Sequence, residues 1–154
     1  MISHIDHIER IYHIMKKVAV VYWSSTGNTE QMAYAVAEGA KDAGAKVTMF
    51  TSADFAANQV SQFDAIAFGC PAMGAEVLEE TEFEPLFTDC IKFLSDRPIA
   101  LFGSYGWGDG EWMRSWERTC KDAGLNLVHN SVICCEAPDD DARVACRSMG
   151  ASLS

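Results

Sequence analysis

Residues 20–29 have the sequence Val20-Val21-Tyr22-Trp23-Ser24-Ser25-Thr26-Gly27-Asn28-Thr29, in which an apolar strand runs straight into a loop of hydroxyl, glycine and amide groups. A loop of this kind before a helix binds phosphate through backbone N–H groups and the helix N-terminus. No Lys or Arg lies between Trp23 and Thr29, so neutral donors would hold the anion. The stretch therefore predicts a strand, a phosphate-binding loop and a helix.

Two better-known phosphate loops do not fit this stretch. The nucleoside-triphosphatase loop ends in Gly-Lys-Ser/Thr, whereas this chain has Gly27-Asn28-Thr29 without the lysine. The dinucleotide loop needs G-x-G-x-x-G, and only Gly27 is present. A hydroxyl that merely caps the helix would explain Ser25 or Thr26 alone. The set of four hydroxyls suits a compact terminal monophosphate; it comprises Ser24, Ser25, Thr26 and Thr29.

Strand and helix patterns alternate from Lys17 onward, which predicts an α/β fold with a three-layer, doubly wound, five-stranded parallel sheet. The predicted strands are Val18–Tyr22, Val47–Phe50, Ala65–Gly69, Ile99–Gly103 and Val132–Cys135. The predicted helices are Asn28–Ala43, the short Phe55–Gln62, Pro85–Leu94, Gly110–Ala123 and Asp139 to about Ser152. Helices should then cover both faces of the sheet.

Ligands of such sheets bind at the carboxyl ends of the strands, where the strand order reverses. Two of the loops predicted there carry large side chains, Met73 and Trp107. Trp107 stands between Gly106 and Gly108, where a large ring gains little unless something flat covers it. Met73 offers a soft thioether for an aromatic face. The pair predicts a bound planar ring; alternatively, Trp107 packs on the protein's own core and Met73 fills a gap there.

Three loops carry a resemblance to a known family: Ser24–Thr29, Pro71-Ala72-Met73-Gly74 and Gly103-Ser104-Tyr105-Gly106-Trp107-Gly108. From Lys16 to the C-terminus, the chain resembles the short-chain flavodoxins of anaerobic, clostridial-like bacteria. Flavodoxin is the standard case of strand order 2-1-3-4-5 with FMN at the switch point between the first and third strands. The resemblance therefore implies this strand order and non-covalent FMN.

By position, the resemblance implies that Ser24–Thr29 bind the FMN phosphate, that Trp107 stacks on the outer face of the isoalloxazine and that Met73 covers the inner face. It also implies that the Met73–Gly74 peptide reorients on reduction and that Glu76 accepts from the ring N3–H. Cys135 departs from the family, where Asn is frequent. The full implied set of cofactor-binding residues is Trp23, Ser24, Ser25, Thr26, Gly27, Asn28, Thr29, Pro71, Ala72, Met73, Gly74, Ala75, Glu76, Ser104, Tyr105, Gly106, Trp107 and Gly108.

The function implied is that of a low-potential one-electron carrier, not an enzyme, which cycles mainly between FMN semiquinone and hydroquinone. A hydrogen bond made only to the protonated radical would stabilise the semiquinone, and charge repulsion would destabilise the reduced anion. The alternative is an FMN-dependent NAD(P)H:quinone or flavin reductase, which needs the space over the flavin that Trp107 would fill. A receiver module needs a carboxylate cluster after the first strand, and Trp23-Ser24-Ser25 stands there instead.

Net charge bears on the partners. The 154-residue, 16.9-kDa chain carries a net charge of −10, which argues against nucleic acid and membrane partners and favours basic surfaces of ferredoxin- or flavodoxin-dependent oxidoreductases. Solubility alone would also explain the charge. We expect a monomer. We also expect a cytoplasmic location, because no apolar run approaches the roughly 20 residues of a membrane helix and no export signal is recognisable. The acids cluster at Glu76, Glu79, Glu80, Glu82 and Glu84, and at Asp139–Asp141.

The six cysteines form no C-x-x-C pair, which argues against a zinc or iron–sulfur site. Most are expected to be small core residues. The Cys134-Cys135 pair follows an apolar strand, so one of the two is expected to face outward.

The predicted domain covers residues 15–154, and residues 1–14 are predicted to be an extension outside it. Isoleucines recur there every third residue, with three histidines among them, as in an amphipathic helix. A segment added by an upstream start is the simpler interpretation, and we favour it. A metal site would need a fourth ligand that the sequence does not identify.

Overall fold

The computed structural model describes residues 15–154, in which one parallel sheet carries helices on both faces. The sheet order is β2-β1-β3-β4, followed by β5 and β6, which both pair with β4. The predicted order 2-1-3-4-5 is thus confirmed. The strands are β1 (Lys17–Tyr22), β2 (Lys46–Thr51), β3 (Ala65–Gly69), β4 (Pro98–Tyr105), β5 (Asn126–Leu127) and β6 (Val132–Cys135). The predicted extension, residues 1–14, lies outside the described residues.

The last position of the sheet differs from the prediction, because two short strands occupy it instead of one. Asn126 pairs with Pro98 at the beginning of β4, and Val132 pairs with Phe102 further along the same strand. The chain leaves the sheet between them. The five predicted strands are thus all present, and the sheet adds a two-residue strand that is too short to show a period-2 pattern.

The helices cover the two faces of the sheet in pairs. Helices α1 and α4 pack with one core cluster, and α2 and α3 pack with the other. The helices are α1 (Asn28–Asp42), α2 (Phe83–Ile91), α3 (Glu111–Asp122) and α4 (Asp140–Ser152). The predicted short helix at Phe55–Gln62 corresponds to a 3₁₀ helix at Ala57–Gln62, preceded by another at Ser52–Asp54. None of the helices in residues 15–154 combines the length and apolarity needed to cross a membrane.

The backbone N–H groups at the beginning of helix α2 bind a buried carboxylate, that of Glu79. Glu79 is only 5% exposed, and its side chain accepts hydrogen bonds from the backbone N–H groups of Thr81, Glu82 and Phe83 at 2.8–2.9 Å. The Thr81 hydroxyl donates to it as well. Burial alone would raise the pKa of Glu79, but these hydrogen bonds to the ionised form outweigh burial and hold the pKa below its usual value. The charge of Glu79 therefore stabilises the start of α2.

Replacing Glu79 tests this contribution. Glu79→Gln leaves a neutral amide facing converging N–H donors, so we expect the free energy of unfolding to fall by about 1–3 kcal/mol at neutral pH. A carboxylate whose pKa is lower in the folded protein stabilises the fold at any pH above the pKa of the unfolded chain, which is about 4.3. This stabilisation is lost as the pH falls through the pKa of the folded protein. In urea unfolding, the difference between wild type and E79Q should therefore shrink below about pH 4.3.

The exposed neighbour Glu80 supplies the control. Glu80→Gln should change the free energy of unfolding by no more than about 0.5 kcal/mol. Equal losses in E79Q and E80Q, or a difference that does not depend on pH, would contradict the role of Glu79.

Candidate functional site

The loops that follow β1, β3, β4 and β6 enclose a cleft of about 530 Å³ at the carboxyl edge of the sheet. Because β1 lies between β2 and β3, the strand order reverses at β1, and the cleft forms where ligands of such sheets bind. The residues that line it are Ser24, Ser25, Thr26, Asn28, Thr29, Pro71, Ala72, Met73, Ser104, Tyr105, Gly106, Trp107, Glu136 and Ala137. The three predicted loops are thus brought together.

The loop after β1 ends in the left-handed conformation. Gly27 has φ +93°, which glycine adopts without a Cβ clash. The Ser24 hydroxyl oxygen turns back and accepts from the backbone N–H groups of Gly27, at 3.1 Å, and of Glu30, at 3.4 Å. Within residues 15–154, no acceptor binds the N–H groups of Ser25, Thr26, Asn28 or Thr29. These free donors at a helix N-terminus fit an anion.

The cleft has no cationic side chain to share the work. No Lys, Arg or His belongs to its lining in the part of the chain that the structure describes. The hydroxyl-bearing residues Ser25 and Thr26 are exposed beside the free N–H groups. The donor set is therefore neutral, and it fits the phosphate of FMN as the sequence predicts.

Ser104 joins the loops through three separate groups. Its N–H donates to Thr29 Oγ1 at 3.3 Å, and its carbonyl accepts from the N–H of Ala72 at 3.0 Å. Its hydroxyl donates to the carbonyl of Glu136. Ser104, Thr29 and Ala72 are all buried, so the bonds to Thr29 and Ala72 are shielded from water, whereas the bond to the exposed Glu136 is partly buried. The relative positions of the four loops thus depend on one residue.

The close approach of β3 and β4 requires glycine at position 103. A Cβ there would lie 2.1 Å from the Cys70 carbonyl oxygen. The same oxygen accepts a hydrogen bond of 3.0 Å from Trp112 Nε1, and the Trp112 ring lies 5.5 Å from the ring of Tyr105. The loop after β3 is therefore fixed to helix α3 from beneath.

The two predicted ring-covering side chains lie on different loops of the cleft. Trp107 is 54% exposed, so its ring has a free face. The core packing that was the alternative for Trp107 is thus absent. Met73 is half-buried, and its loop closes on itself through two backbone hydrogen bonds with Val77, of 2.8 and 3.0 Å. Gly74 follows Met73 with φ +50°, at a position where an added Cβ would meet nothing within 4 Å.

Some residues of the predicted set do not line the cleft: Trp23, Gly27, Gly74, Ala75, Glu76 and Gly108. Glu76 instead binds the beginning of α3. Its Oε1 accepts from the N–H groups of Asp109 at 3.2 Å and Glu111 at 3.3 Å. A Cβ at position 108 would lie 2.1 Å from the same oxygen, so Gly108 gives the carboxylate its place. In this arrangement Glu76 supports the Trp107 loop.

Two lining residues, Glu136 and Ala137, are absent from the predicted set. Glu136 has φ +59°, and its N–H donates to the Tyr105 carbonyl at 2.8 Å. The sequence indicated these two residues only by their position directly after the last strand. A Glu or Ala side chain in a short loop gives no chemical hint of a ligand, and the resemblance directed attention to the other three loops.

Two thiols near this end of the sheet, those of Cys70 and Cys134, are kept in the protonated form by burial. Burial raises the pKa of the Cys70 thiol to about 12, and it also raises the pKa of Cys134. Cys135 is exposed and Cys134 half-buried, which confirms that one of the pair faces outward. The core role is confirmed for the four buried cysteines, Cys70, Cys90, Cys120 and Cys146.

Comparison with known proteins agrees with this geometry. A sequence model described as "Flavodoxin" matches residues 20–149. The flavodoxin of Megasphaera elsdenii is 42% identical over 133 residues, covering 86% of this chain and 95% of the relative. The flavodoxin of Clostridium beijerinckii is 41% identical over 135 residues, covering 88% and 97%. The solution structure of two-electron reduced M. elsdenii flavodoxin matches with a TM-score of 0.81 and 41% identity, covering 89% of this chain and 99% of that one.

The Thr29–Ser104 hydrogen bond can be tested in the protein without cofactor. Thr29→Val keeps the β-branched shape but removes the only acceptor shown for the buried Ser104 N–H, so we expect a loss of about 1–3 kcal/mol in stability. Thr29→Ser keeps the oxygen and should lose clearly less. Thermal unfolding of both variants makes the comparison, and equal midpoints would contradict the role of the hydroxyl.

Proposed function

The chain belongs to the flavodoxin family of FMN-binding electron carriers, and from this we propose that it transfers single electrons at low potential, with FMN held in the cleft between its four loops. When bound, FMN supplies the redox chemistry, and the couple that we propose is the one between its half-reduced and fully reduced forms. The observation that carries the proposal is the union, in one cleft, of a cation-free donor loop and an exposed tryptophan face.

We assign the phosphate to the loop from Ser24 to Thr29. The free N–H groups at the beginning of α1 and the exposed hydroxyls of Ser25 and Thr26 support this assignment. Ser24 has a different part, because its oxygen already accepts from Gly27 and Glu30 and so shapes the loop. A neutral donor set neutralises no phosphate charge, which leaves the negative charge near the redox centre.

We assign the two faces of the ring to Trp107 and Met73, and its edge to Ser104, Tyr105 and Gly106. Apolar walls exclude water, so a nearby charge acts through a lower effective permittivity. One like charge about 4 Å away costs about 4 kcal/mol at a permittivity near 20. The phosphate and the acidic residue Glu136, which also lines the cleft, therefore favour a low potential for the last electron.

We propose that the backbone after Met73 adapts to the redox state. Gly74 already has a positive φ, and an added Cβ would meet nothing, so the peptide has space to turn. The two hydrogen bonds between Met73 and Val77 hold the ends of this short loop. A carbonyl turned towards the ring would accept a hydrogen bond from a protonated ring nitrogen there. Glu76 would accept from the ring N3–H only with an oxygen not already bound to the N–H groups of α3.

The reductase alternative is weaker. Hydride transfer from NAD(P)H needs an open flavin face for the nicotinamide, and Trp107 stands over the outer face in our assignment. The chain also matches carriers of nearly its own length over 95–97% of their sequences. Reduction of the bound flavin by NAD(P)H in a single two-electron step would favour the reductase.

Flavodoxins, as electron carriers, act with redox partner proteins. We propose that the partners of this chain present basic surfaces, in line with the net charge of −10. Of the predicted acids, Glu80 and Glu84 are exposed, as are Asp139–Asp141, whereas Glu79 is buried and serves α2. A monomeric state, a cytoplasmic location and the absence of nucleic acid and membrane partners stay predictions.

The stacking role of Trp107 predicts a loss of affinity on truncation. Trp107→Ala should weaken FMN binding by about 2 kcal/mol, or roughly 30-fold in Kd, because a large apolar ring no longer covers the flavin. Quenching of flavin fluorescence on binding measures the Kd. Tyr34 on α1 offers a matched control, since it is 55% exposed and lies outside the cleft. An unchanged Kd in W107A, or an equal loss in Y34A, would contradict the assignment.

Stepwise anaerobic reduction with a chemical reductant tests the transfer of single electrons. We expect two separate one-electron steps in the visible spectrum, and no reduction by NAD(P)H. A single two-electron step driven by NAD(P)H would favour the reductase, and a protein that takes up no FMN would contradict both functions.

A further inference from the structure

A second concave surface lies outside the FMN cleft. It is a groove of about 440 Å³ between the segment that leads into α2, residues 76–84, and helix α3, and we call it the α3 groove. It shares no lining residue with the cleft. The two are nevertheless neighbours along the chain, because Val77 lines the groove while its backbone binds Met73, which lines the cleft.

The α3 groove is acidic. Glu76, Glu80 and Glu84 line it, and among its lining residues in the described chain there is no Lys, Arg or His. Glu80 makes no hydrogen bond within residues 15–154, whereas Glu84 accepts from the Thr88 hydroxyl at 2.8 Å. Glu80 and Glu84 are both exposed.

The nearest arginines on α3 are already paired. Arg114 lies 2.8 Å from Asp109 and 3.0 Å from Glu111, and Arg118 lies 2.9 Å from Glu111. Both arginines therefore pair with carboxylates that do not line the groove. Arg118 also donates a hydrogen bond to the hydroxyl of Ser115, which lines one side of the groove. The groove keeps a net negative charge.

The rest of the α3 groove is apolar, with one unpartnered polar group. Val77 is 39% exposed and Leu78 is half-buried, whereas Trp112 is only 1% exposed. Trp116 also lines the groove, is only 2% exposed and carries an indole N–H that finds no acceptor in residues 15–154. A buried donor without a partner is rare enough to require a reason. An acceptor from outside the chain would supply one.

We propose that the α3 groove binds a lysine or arginine side chain presented by an extended segment of the redox partner. The aliphatic stem packs on Val77 and Leu78, and the cationic head pairs with Glu80 and Glu84. A carbonyl of the same segment gives the Trp116 N–H the acceptor it lacks, which requires the side chains over that N–H to shift, because the atom is buried in this structure. That the segment belongs to a redox partner rests on the proposed function; binding of the side chain itself does not.

The test uses ¹⁵N-labelled, FMN-loaded protein and the peptide acetyl-Gly-Lys-Leu-Lys-Gly-amide as the probe. The four tryptophans give separate indole signals, so each reports on its own place. We expect the Trp116 and Trp112 signals to shift and saturate, while Trp23 stays unchanged. A peptide with Gln in place of both Lys residues should cause no shift. Shifts at Trp107 without Trp116 would overturn the proposal, because they place the peptide at the cleft.

Charge-matched variants separate the groove from overall charge. The double variant Glu80→Gln, Glu84→Gln should weaken binding about fivefold. The double variant Asp140→Asn, Asp141→Asn removes the same charge from exposed residues in the first turn of α4 and should bind as wild type does. Equal weakening in both would show attraction by net charge alone and overturn the proposal. Flavin absorbance before the titration reports FMN loading, so failure of the proposed function is seen separately.

Discussion

The arrangement of the site depends on the three hydrogen bonds of Ser104. In a parallel sheet the strands stop at one edge, and nothing in the strand pairing itself fixes the loops beyond it. Ser104 joins β4 to the neighbouring segments beyond the strand pairing. It binds Ala72 in the loop after β3, Thr29 in α1 and Glu136 in the loop after β6. Because Ser104, Thr29 and Ala72 are buried, the bonds to Thr29 and Ala72 hold their loops where water has little access.

In the proposed phosphate site, fixed backbone donors take the place of a cation. A lysine would bring a flexible charge, whereas the donors at the beginning of α1 are fixed by the backbone and by Ser24. Fixed N–H dipoles bind phosphate and leave its charge in place. That charge then adds to the acids around this edge of the sheet. The anion site and the low potential that we propose would thus both follow from the neutral donors at the beginning of α1.

The sequence predicted most of this arrangement, because buried parallel strands are continuous apolar runs and the residues after them meet at one edge. It did not predict β5, since Asn126–Leu127 is paired only by its position beside Pro98–Ile99. It placed Glu79 in a surface acid cluster, because the convergence of three N–H groups on that carboxylate depends on the path of residues 79–83. It missed Glu136 for the same kind of reason, as its positive φ is set by contacts with Tyr105 and Ser104.

Glu76 joins the chemistry of the cleft to the surface where a partner would bind. It has φ +56°, an unfavourable conformation for a residue with a Cβ, and two N–H groups of the segment that begins α3 hold its carboxylate. It lies in the Met73–Val77 loop and also lines the α3 groove. A cation that pairs with Glu80 and Glu84 in that groove would also attract the carboxylate of Glu76, and any shift of Glu76 would move the loop that carries Met73. If a partner docks in the α3 groove as we propose, the docking surface and the loop that carries Met73 share the side chain of Glu76, so docking would also influence the proposed FMN site.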